Sequence, residues 1–594
     1  MPYFFIEDFQ AGLDVRKSPL TAPAGTLRAC INAHITRGGE IERRSAFVKV
    51  GDFDPGTFGL HSVQDRLFTF GPDPDMARPS FVDFQQLDAP NGSPIKAMLS
   101  TTNFDGKVYA VAEYEDANIL HWYDGQLVQD WLDFGEETGS LNSVARRLAQ
   151  KVEDRANLQA VADGDSIIIT ANETGADGGF TVSVAGLPQA EQDRFTITVL
   201  QPPDAGEFQV TQVDISGTFL PDAIYRFEVN SAMVAVLGRA SATGIQVLTM
   251  ENRVFSVDQS LLRFSGFPGV DPSAADFDIN EAVSGPDPTI WEPIDTSGNR
   301  TFAGAINLST QDGGSEQLTG LAVYQDALAI FSDQTTHIWN VSSVNPIQMG
   351  QVQILPNLGT SAPRSVQTFG EADVFFLGQS GIRSLRARDS SNFASVADVG
   401  TPIDEEIQDF LAERGELVRK NAVSAIEPRE GRYWLAVENR IYVLSRFPGS
   451  RITAWSRYEA PDTVTDIAVT ARRIYIRAGD SLYLYGGGSG DDRDSAPADI
   501  VTPFSSADDP ARLKQFLSFD VACEGKWDVY LRPDPTLPEY EELVAEIDGT
   551  TLGLQPTMAA MAQSTHVAFR LVSVGSGYHR LGAIMYHYQR GSAE

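Results

Sequence analysis

Gly320–Trp339 reads GLAVYQDALAIFSDQTTHIW. An apolar strand-like run, a tight polar turn and a second apolar run follow one another. The flanks alternate apolar and polar, the pattern of half-buried strands. Six other stretches share this plan: Gly59–Phe70, Phe104–Tyr123, Leu248–Phe264, Gly370–Leu385, Glu430–Leu444 and Thr470–Tyr485. Their turns are rich in Asp, Asn and Gly, which tolerate left-handed backbone angles and bond their own backbone. A lone hairpin is barely stable in water, so each must bury a face on a neighbour. Seven hairpins at irregular spacing predict a divergent β-propeller. A pair of unrelated β-sandwiches is the alternative.

Outward from the hairpins, three regions break the pattern. Gly139–Asn157 reads GSLNSVARRLAQKVEDRAN, with Leu141, Val144, Ala145, Leu148 and Val152 on one helical face. Ser140 or Ser143 is placed to cap it. Strand-like runs follow at Ser166–Thr170, Phe180–Val184, Phe195–Leu200 and Phe208–Val213. A small α+β domain inserted in the propeller is expected, its helix packed on its own sheet. A second helix is predicted over Ile403–Glu416, with Pro402 just before it. Gly486–Ala496, GGGSGDDRDSA, has the composition of a flexible linker. Beyond it Phe516–Cys523, Trp527–Arg532, His566–Val572 and Leu581–Tyr588 read as a terminal β-sandwich.

The expected fold is therefore mainly β: a divergent β-propeller with an inserted small α+β domain and a C-terminal β-sandwich. The division is 1–50 N-terminal arm or docking segment, 51–138 first part of the propeller, 139–230 insert, 231–488 second part of the propeller, 489–498 Gly/Asp linker, and 499–594 sandwich. A chain of 594 residues exceeds one ordinary core. Its 42% hydrophobic and 21% charged content is that of a globular protein.

Charge narrows the function. Eighty acidic against 45 basic residues give a formal net charge of −35. Tight wrapping of a phosphate backbone needs clustered cations, so such a chain can surround DNA without gripping it. A soluble acidic surface is the plainer cause of the charge. The two cysteines, Cys30 and Cys523, make no disulfide framework or C-x-x-C site, and suggest folding in a reducing compartment. The start MPYFFIED lacks the features of a signal peptide, and no window is apolar enough for a transmembrane helix. Synthesis in a cytoplasm is expected.

Catalytic signatures are scarce. H-E-x-x-H, G-x-S-x-G, Walker A and a strand-borne G-x-G-x-x-G are missing. So are the repeated Ser-x-Asp-x-Gly-x-x-Trp boxes of sialidase-type propellers. Among 80 acidic residues some close pair is inevitable, so paired carboxylates say nothing of glycoside hydrolysis. Trp339, Trp434 and Trp455 lie in presumed strands and read as packing rather than sugar platforms. His579 and His587 read as packing rather than metal ligands. Asp491, Asp492 and Asp494 read as a solvated loop. One G-G-x-G-x-D element there resembles a calcium repeat, but that element works in tandem copies. No catalytic, cofactor-binding or metal residue is assigned, and no cofactor.

Several stretches together resemble the tail nozzle protein of short-tailed bacteriophages, also called tail tubular protein B. The first is Phe9–Arg44, FQAGLDVRKSPLTAPAGTLRACINAHITRGGEIERR, with Gly12, Pro19, Pro23, Asn32, Gly38, Gly39 and Arg43–Arg44 in the family's order. The others are Asn252–Asp278 followed by Leu321–Trp339, then Ile452–Ile476, and the ending Lys514–Asp534 with Tyr578–Gly591. The insert matches the family's in position and type. Every motif is short, and their order carries the likeness. It implies a homohexameric ring in the virion tail, below a connector or adaptor resembling tail tubular protein A. Genomic DNA would pass through without sequence-specific binding. Tail fibres or tailspikes would attach, meeting the host surface indirectly. It implies no catalytic residues. The locally basic 1–50 segment, with Arg16, Lys17, Arg28, Arg37, Arg43 and Arg44, is expected either to brace a neighbouring subunit or connector, or to be a strand closing the propeller. The rivals are a receptor-binding tip protein and a glycan-degrading propeller.

Overall fold

A computed structural model describes residues 2–63, 66–71, 84–88, 95–104, 106–114, 118–123, 128–130, 145, 148–149, 152–153, 156, 158–175, 178–187, 195–204, 206–216, 224–230, 232–238, 244–265, 304–308, 316–341, 349–370, 373–387, 394–507, 509–551 and 558–590. The protein is mainly β, as its alternating pattern predicts. It forms two compact units, one of 1–70, 75–86 and 359–594, the other of 71–74 and 87–358.

In the first unit, a four-stranded antiparallel sheet spans 367–397, and four antiparallel strands over 423–459 form one end of an 11-stranded sheet. A third takes Val464–Thr470, Arg473–Ala478 and Ser481–Tyr485, and its fourth strand is Phe47–Asp52 from the other end of the chain. The first strands of successive sheets lie side by side: Gln367–Phe369 on Val423–Ile426, that on Val464–Thr470, and that on Phe58–Val63. Buried Arg477 ties the last contact, donating to the carbonyl of Gly59 and to Thr69. Asp466 accepts from the Leu60 amide at 2.9 Å.

The second unit repeats this plan over 97–130, 246–307 and 318–356. Ala97–Phe104 packs on Gln246–Met250, and that on Leu318–Tyr324. Ser100 Oγ accepts from the Val247 amide (3.1 Å) and donates to its carbonyl (3.3 Å). Each of the seven quoted hairpins contains paired strands. Asn252–Asp278 is described only as far as residue 265, so the rest of that motif lies outside the described residues.

Turn chemistry departs from expectation. Glu251, Gln259, Gln325, Glu438, Ala471 and Arg472 take φ between 47° and 59°, where Asp, Asn or Gly were expected. A side chain there costs roughly 1–2 kcal/mol. Sheet pairing on both sides holds them in place.

Between the strands of the second unit sits the insert. Gln159–Asp163, Ser166–Thr174, Phe208–Ile215 and Phe195–Gln201 form one sheet in that order. Val182–Leu187, Ile224–Val229 and Ala232–Gly238 form another. Ala145, Leu148, Ala149 and Val152 are helical and buried against Ile167, Ile169, Val213 and Phe227. Leu141, Val144 and both proposed caps lie outside the described residues. The second helix runs Asp404–Arg414 and buries Ile407, Phe410 and Leu411, with a short helix Glu416–Lys420 after it.

The C-terminal region packs two sheets face to face. Lys514–Glu524, Met558–Ser564 and Arg580–Arg590 build one. Asp499–Val501, Ala568–Ser573, Lys526–Arg532 and Glu542–Asp548 belong to the other. Phe519, Val521 and Ile584 meet Trp527, Phe569 and Leu571 in the core between them.

Candidate functional site

The 1–50 segment is woven into its own chain. Tyr3–Ile6 and Ile41–Arg43 pair with Arg580–Arg590. Ala29–Ile31 is a seam strand: one side pairs with Asp499–Val501 of the C-terminal region, and the other meets Arg457 of the 423–459 sheet. Gly12 (φ 62°) lies so close to Trp455 that a Cβ would sit 2.7 Å from its carbonyl oxygen. Only glycine fits there.

Asn32 fastens the seam. It is buried with φ 53°, which asparagine tolerates better than most residues. Its amide donates to the Arg457 carbonyl (2.7 Å) and its carbonyl accepts from the Arg44 amide (2.9 Å). Its Oδ1 accepts from Arg44 Nε and the Glu459 amide, both at 2.9 Å. Its Nδ2 donates to the Pro497 carbonyl (3.1 Å).

Asp494 is the second fastener, which corrects its reading as part of a solvated loop. Its Oδ2 accepts from buried Arg44 (2.7 Å) and the Phe47 amide (3.3 Å). Its Oδ1 pairs with buried Arg43 (3.4 Å) and accepts from the Ala496 amide (3.1 Å). Arg43 also donates to the Gly575 carbonyl (2.7 Å) and contacts His579. Burial pushes the Arg43 guanidinium down, against the raising effect of Asp494. Arg493 pairs with Glu42 (3.0 Å) and bonds the Arg43 carbonyl. Despite its linker composition, the 486–496 stretch is held: Asp492 bonds Gly486 and Ala46 through its backbone, and Ser489 through its carboxylate. Asp491 pairs with Arg429 at 3.0 Å.

The sequence pattern showed Asn32, Gly12 and Arg43–Arg44 but not their partners. Asp494 lies 450 residues from Arg44, so no local signal links them. The basic cluster is used within the chain: Arg28 bonds the Asp14 and Lys17 carbonyls, and Arg37 pairs with Glu430.

Trp339, Trp434 and Trp455 are buried. Trp434 meets Tyr458 and Tyr485 edge-on (5.4 and 4.9 Å), with Phe47 at 6.3 Å. Trp455 donates to the Val399 carbonyl (2.8 Å), and Trp339 packs among Leu321, Leu328 and Ile330. His579 is buried, and burial, with Arg43 nearby, lowers its pKa. His587 pairs with Asp520 (3.2 Å), and no metal-like group of His, Cys, Asp and Glu occurs among the described residues. Burial pushes the Cys30 thiol up to about 12. A cleft of about 450 Å³ is lined by Arg37, Phe369, Glu430, Arg446 and Phe447 among others. A second of about 350 Å³ is lined by Arg429, Glu430, Arg472 and Arg473. Glu430 is the one carboxylate lining either cleft, and Arg37 already holds it.

No family model matches the chain, and no curated protein matches it. Among solved structures, it is similar to an exo-β-1,3-galactanase from Phanerochaete chrysosporium, solved with galactose. Identity is 9%, 84% of this chain and 98% of that one are covered, and the TM-score is 0.21. A likeness that low carries no weight for fold or chemistry.

Proposed function

We propose that the chain is a structural virion protein: a ring-shaped tail nozzle that continues the DNA-exit channel below the connector of a short-tailed phage and supports fibre attachment. On this reading the antiparallel sheets are blades of a divergent β-propeller. The chain works as a homohexamer and catalyses nothing.

The observation that carries the reading is the double fastening of the N-terminal segment. The residues bearing the resemblance, Gly12, Asn32 and Arg43–Arg44, are those that lock it to the 423–459 sheet and the C-terminal region. Locking of this kind suits a wall element that must hold shape while DNA passes. The net charge of −35 suits a wall that repels a polyanion. Its buried arginines are occupied by Asp494, Glu42 and backbone carbonyls rather than offered to phosphate.

Native mass spectrometry of the chain, alone and with its candidate connector, tests the reading, with negative-stain imaging of any ring. A six-fold ring supports the nozzle. A trimer transfers the assignment to a receptor-binding tip. A chain that stays monomeric with the connector and releases reducing sugar from a host polysaccharide is a glycan-degrading enzyme instead.

A further inference from the structure

We infer that the cleft of about 350 Å³ beside the Ala471–Arg472 turn is a binding site for the phosphate group of a small molecule, held by Arg429, Arg472 and Arg473.

The first observation is unpaired charge. Elsewhere neighbouring arginines share a carboxylate: Arg43 and Arg44 share Asp494, Arg440 and Arg457 share Glu406, and Arg532 and Arg570 share Glu541. In this cleft Arg429 pairs with Asp491 (3.0 Å), but both side chains are more than half exposed and water screens the pair. Arg472 and Arg473 have no carboxylate partner among the described residues. Glu430 lines the cleft too, and Arg37 holds it at 2.8 Å.

The second observation is fixed position. Arg429 donates to the Gly490 carbonyl (2.8 Å), and Arg473 to the Gly488 carbonyl (3.2 Å) and the Gly487 carbonyl. A guanidinium carries five N–H donors, so both keep donors for a ligand. Their own chain orients them beforehand, which lowers the ordering cost of binding.

The third observation is the turn. Ala471 and Arg472, at φ 47° and 59°, join the paired residues Thr470 and Arg473. Such two-residue turns favour Asn-Gly. The Glu251–Asn252 turn, at φ 47° and 55°, has asparagine at its second position. Arg472 has no such local reason to be there. Backbone held in an uncommon conformation marks ligand clamps, and a guanidinium that grips a ligand explains an arginine at this point.

Chemistry chooses the ligand. Arginine forks match oxyanions, and a phosphate group offers three acceptor oxygens with a charge near −2 at pH 7. One carboxylate is matched by one arginine, whereas three arginines around one cleft match phosphate. Charge also limits the ligand's size. A nucleic acid would lay its further phosphates on a surface of net charge −35. A small molecule feels mainly the charges within the ~8 Å screening length.

The inference stands apart from the nozzle reading. The test is isothermal titration calorimetry of inorganic phosphate into the wild type, R472Q and R429Q. Both substituted side chains are exposed, and thermal melting checks that the fold is kept. The wild type is expected to bind phosphate, and each variant at least ~10-fold more weakly, the worth of a lost charge-assisted hydrogen bond. Phosphate sheds its second proton near pH 6. Wild-type affinity should therefore rise between pH 5.5 and 7.5, while affinity for sulfate, a dianion throughout, should not. A wild type that binds no phosphate overturns the site, as does binding that either variant leaves unchanged. Single-stranded DNA that binds more tightly than phosphate, and is lost in R472Q, overturns the small-molecule assignment. A six-fold ring that ignores phosphate sinks this site and leaves the nozzle standing. Arginine-dependent phosphate binding by a chain that forms no ring supports the site and counts against the nozzle.

Discussion

The seam strand Ala29–Ile31 and the insert strand Phe195–Gln201 face the same physical problem and answer it differently. Both are short apolar strands whose backbone needs partners. Ala29–Ile31 has a partner from its own chain on each side. Phe195–Gln201 pairs with Phe208–Ile215, and no second strand pairs with it among the described residues. The chain uses its N-terminal segment to close edges in the first unit, and among the described residues no such segment occurs in the insert. The difference teaches where rigidity comes from: a strand bonded on both sides by distant parts of the chain ties them together.

The strongest way to break the comparison is to unfasten the seam. Asn32→Leu removes a side chain that makes three hydrogen bonds, one of them fully buried, and puts a branched residue at φ 53°. Unsatisfied buried partners cost ~1–3 kcal/mol each and the backbone roughly 1–2 more. A loss of about 3 kcal/mol or more is expected in chemical denaturation. An effect under 1 kcal/mol would mean that the seam does not hold the first unit. Asp494→Asn is next. It leaves buried Arg43 and Arg44 without a counter-charge. Breaking a buried pair costs ~3–5 kcal/mol, and because Asp494 is partly exposed about 2 kcal/mol is expected.

Acid should weaken the same region. His34 lies buried against Tyr458 (2.8 Å), and burial with Arg432 and Arg493 nearby holds its pKa well below the usual value. His579 is lowered in the same direction. Both take up a proton less readily in the folded chain than in the unfolded one, which does so near pH 6.5. Their contribution is complete above about pH 6.5 and is lost as pH falls through the lower folded values. The melting temperature should therefore drop between pH 7.5 and 5.5, and drop less in His34→Gln. An unchanged melting temperature across that range would show that neither histidine is held neutral. The smallest effect concerns the Ala471–Arg472 turn. A471N/R472G puts residues suited to left-handed φ there and should stabilise by about 1 kcal/mol, read by thermal melting. A loss of stability would show that Arg472 contributes more than its strain costs.

Much of this was legible along the chain. Alternation gave the strands of Gly320–Trp339, since strand side chains point to opposite faces whatever the tertiary fold. The spacing of Ala145, Leu148 and Val152 gave the buried helix face, and that of Ile407, Phe410 and Leu411 gave the second helix. Turn residues were less legible. Glu251, Gln325 and Ala471 adopt left-handed angles because paired strands on both sides over-determine them.

The role of Asp494 was not legible. In DDRDSA it reads as one of several solvated carboxylates, and nothing local distinguishes it. Its value lies in Arg43 and Arg44, which reach it only after both ends of the chain have folded together. The Gly-rich stretch around it likewise has a linker's composition and a fastener's hydrogen bonds.

By itself the sequence determined the class of the molecule: mainly β, acidic, with hairpins of one plan, because strand periodicity and turn preference act over a few residues. Only the tertiary structure decided how Phe47–Asp52 completes the Val464–Tyr485 sheet, how Ala29–Ile31 becomes a seam, and in what order the insert strands pair. Backbone hydrogen-bonding groups are nearly the same in every residue. A strand's sequence therefore states that it needs a partner, and only folding states which one it receives.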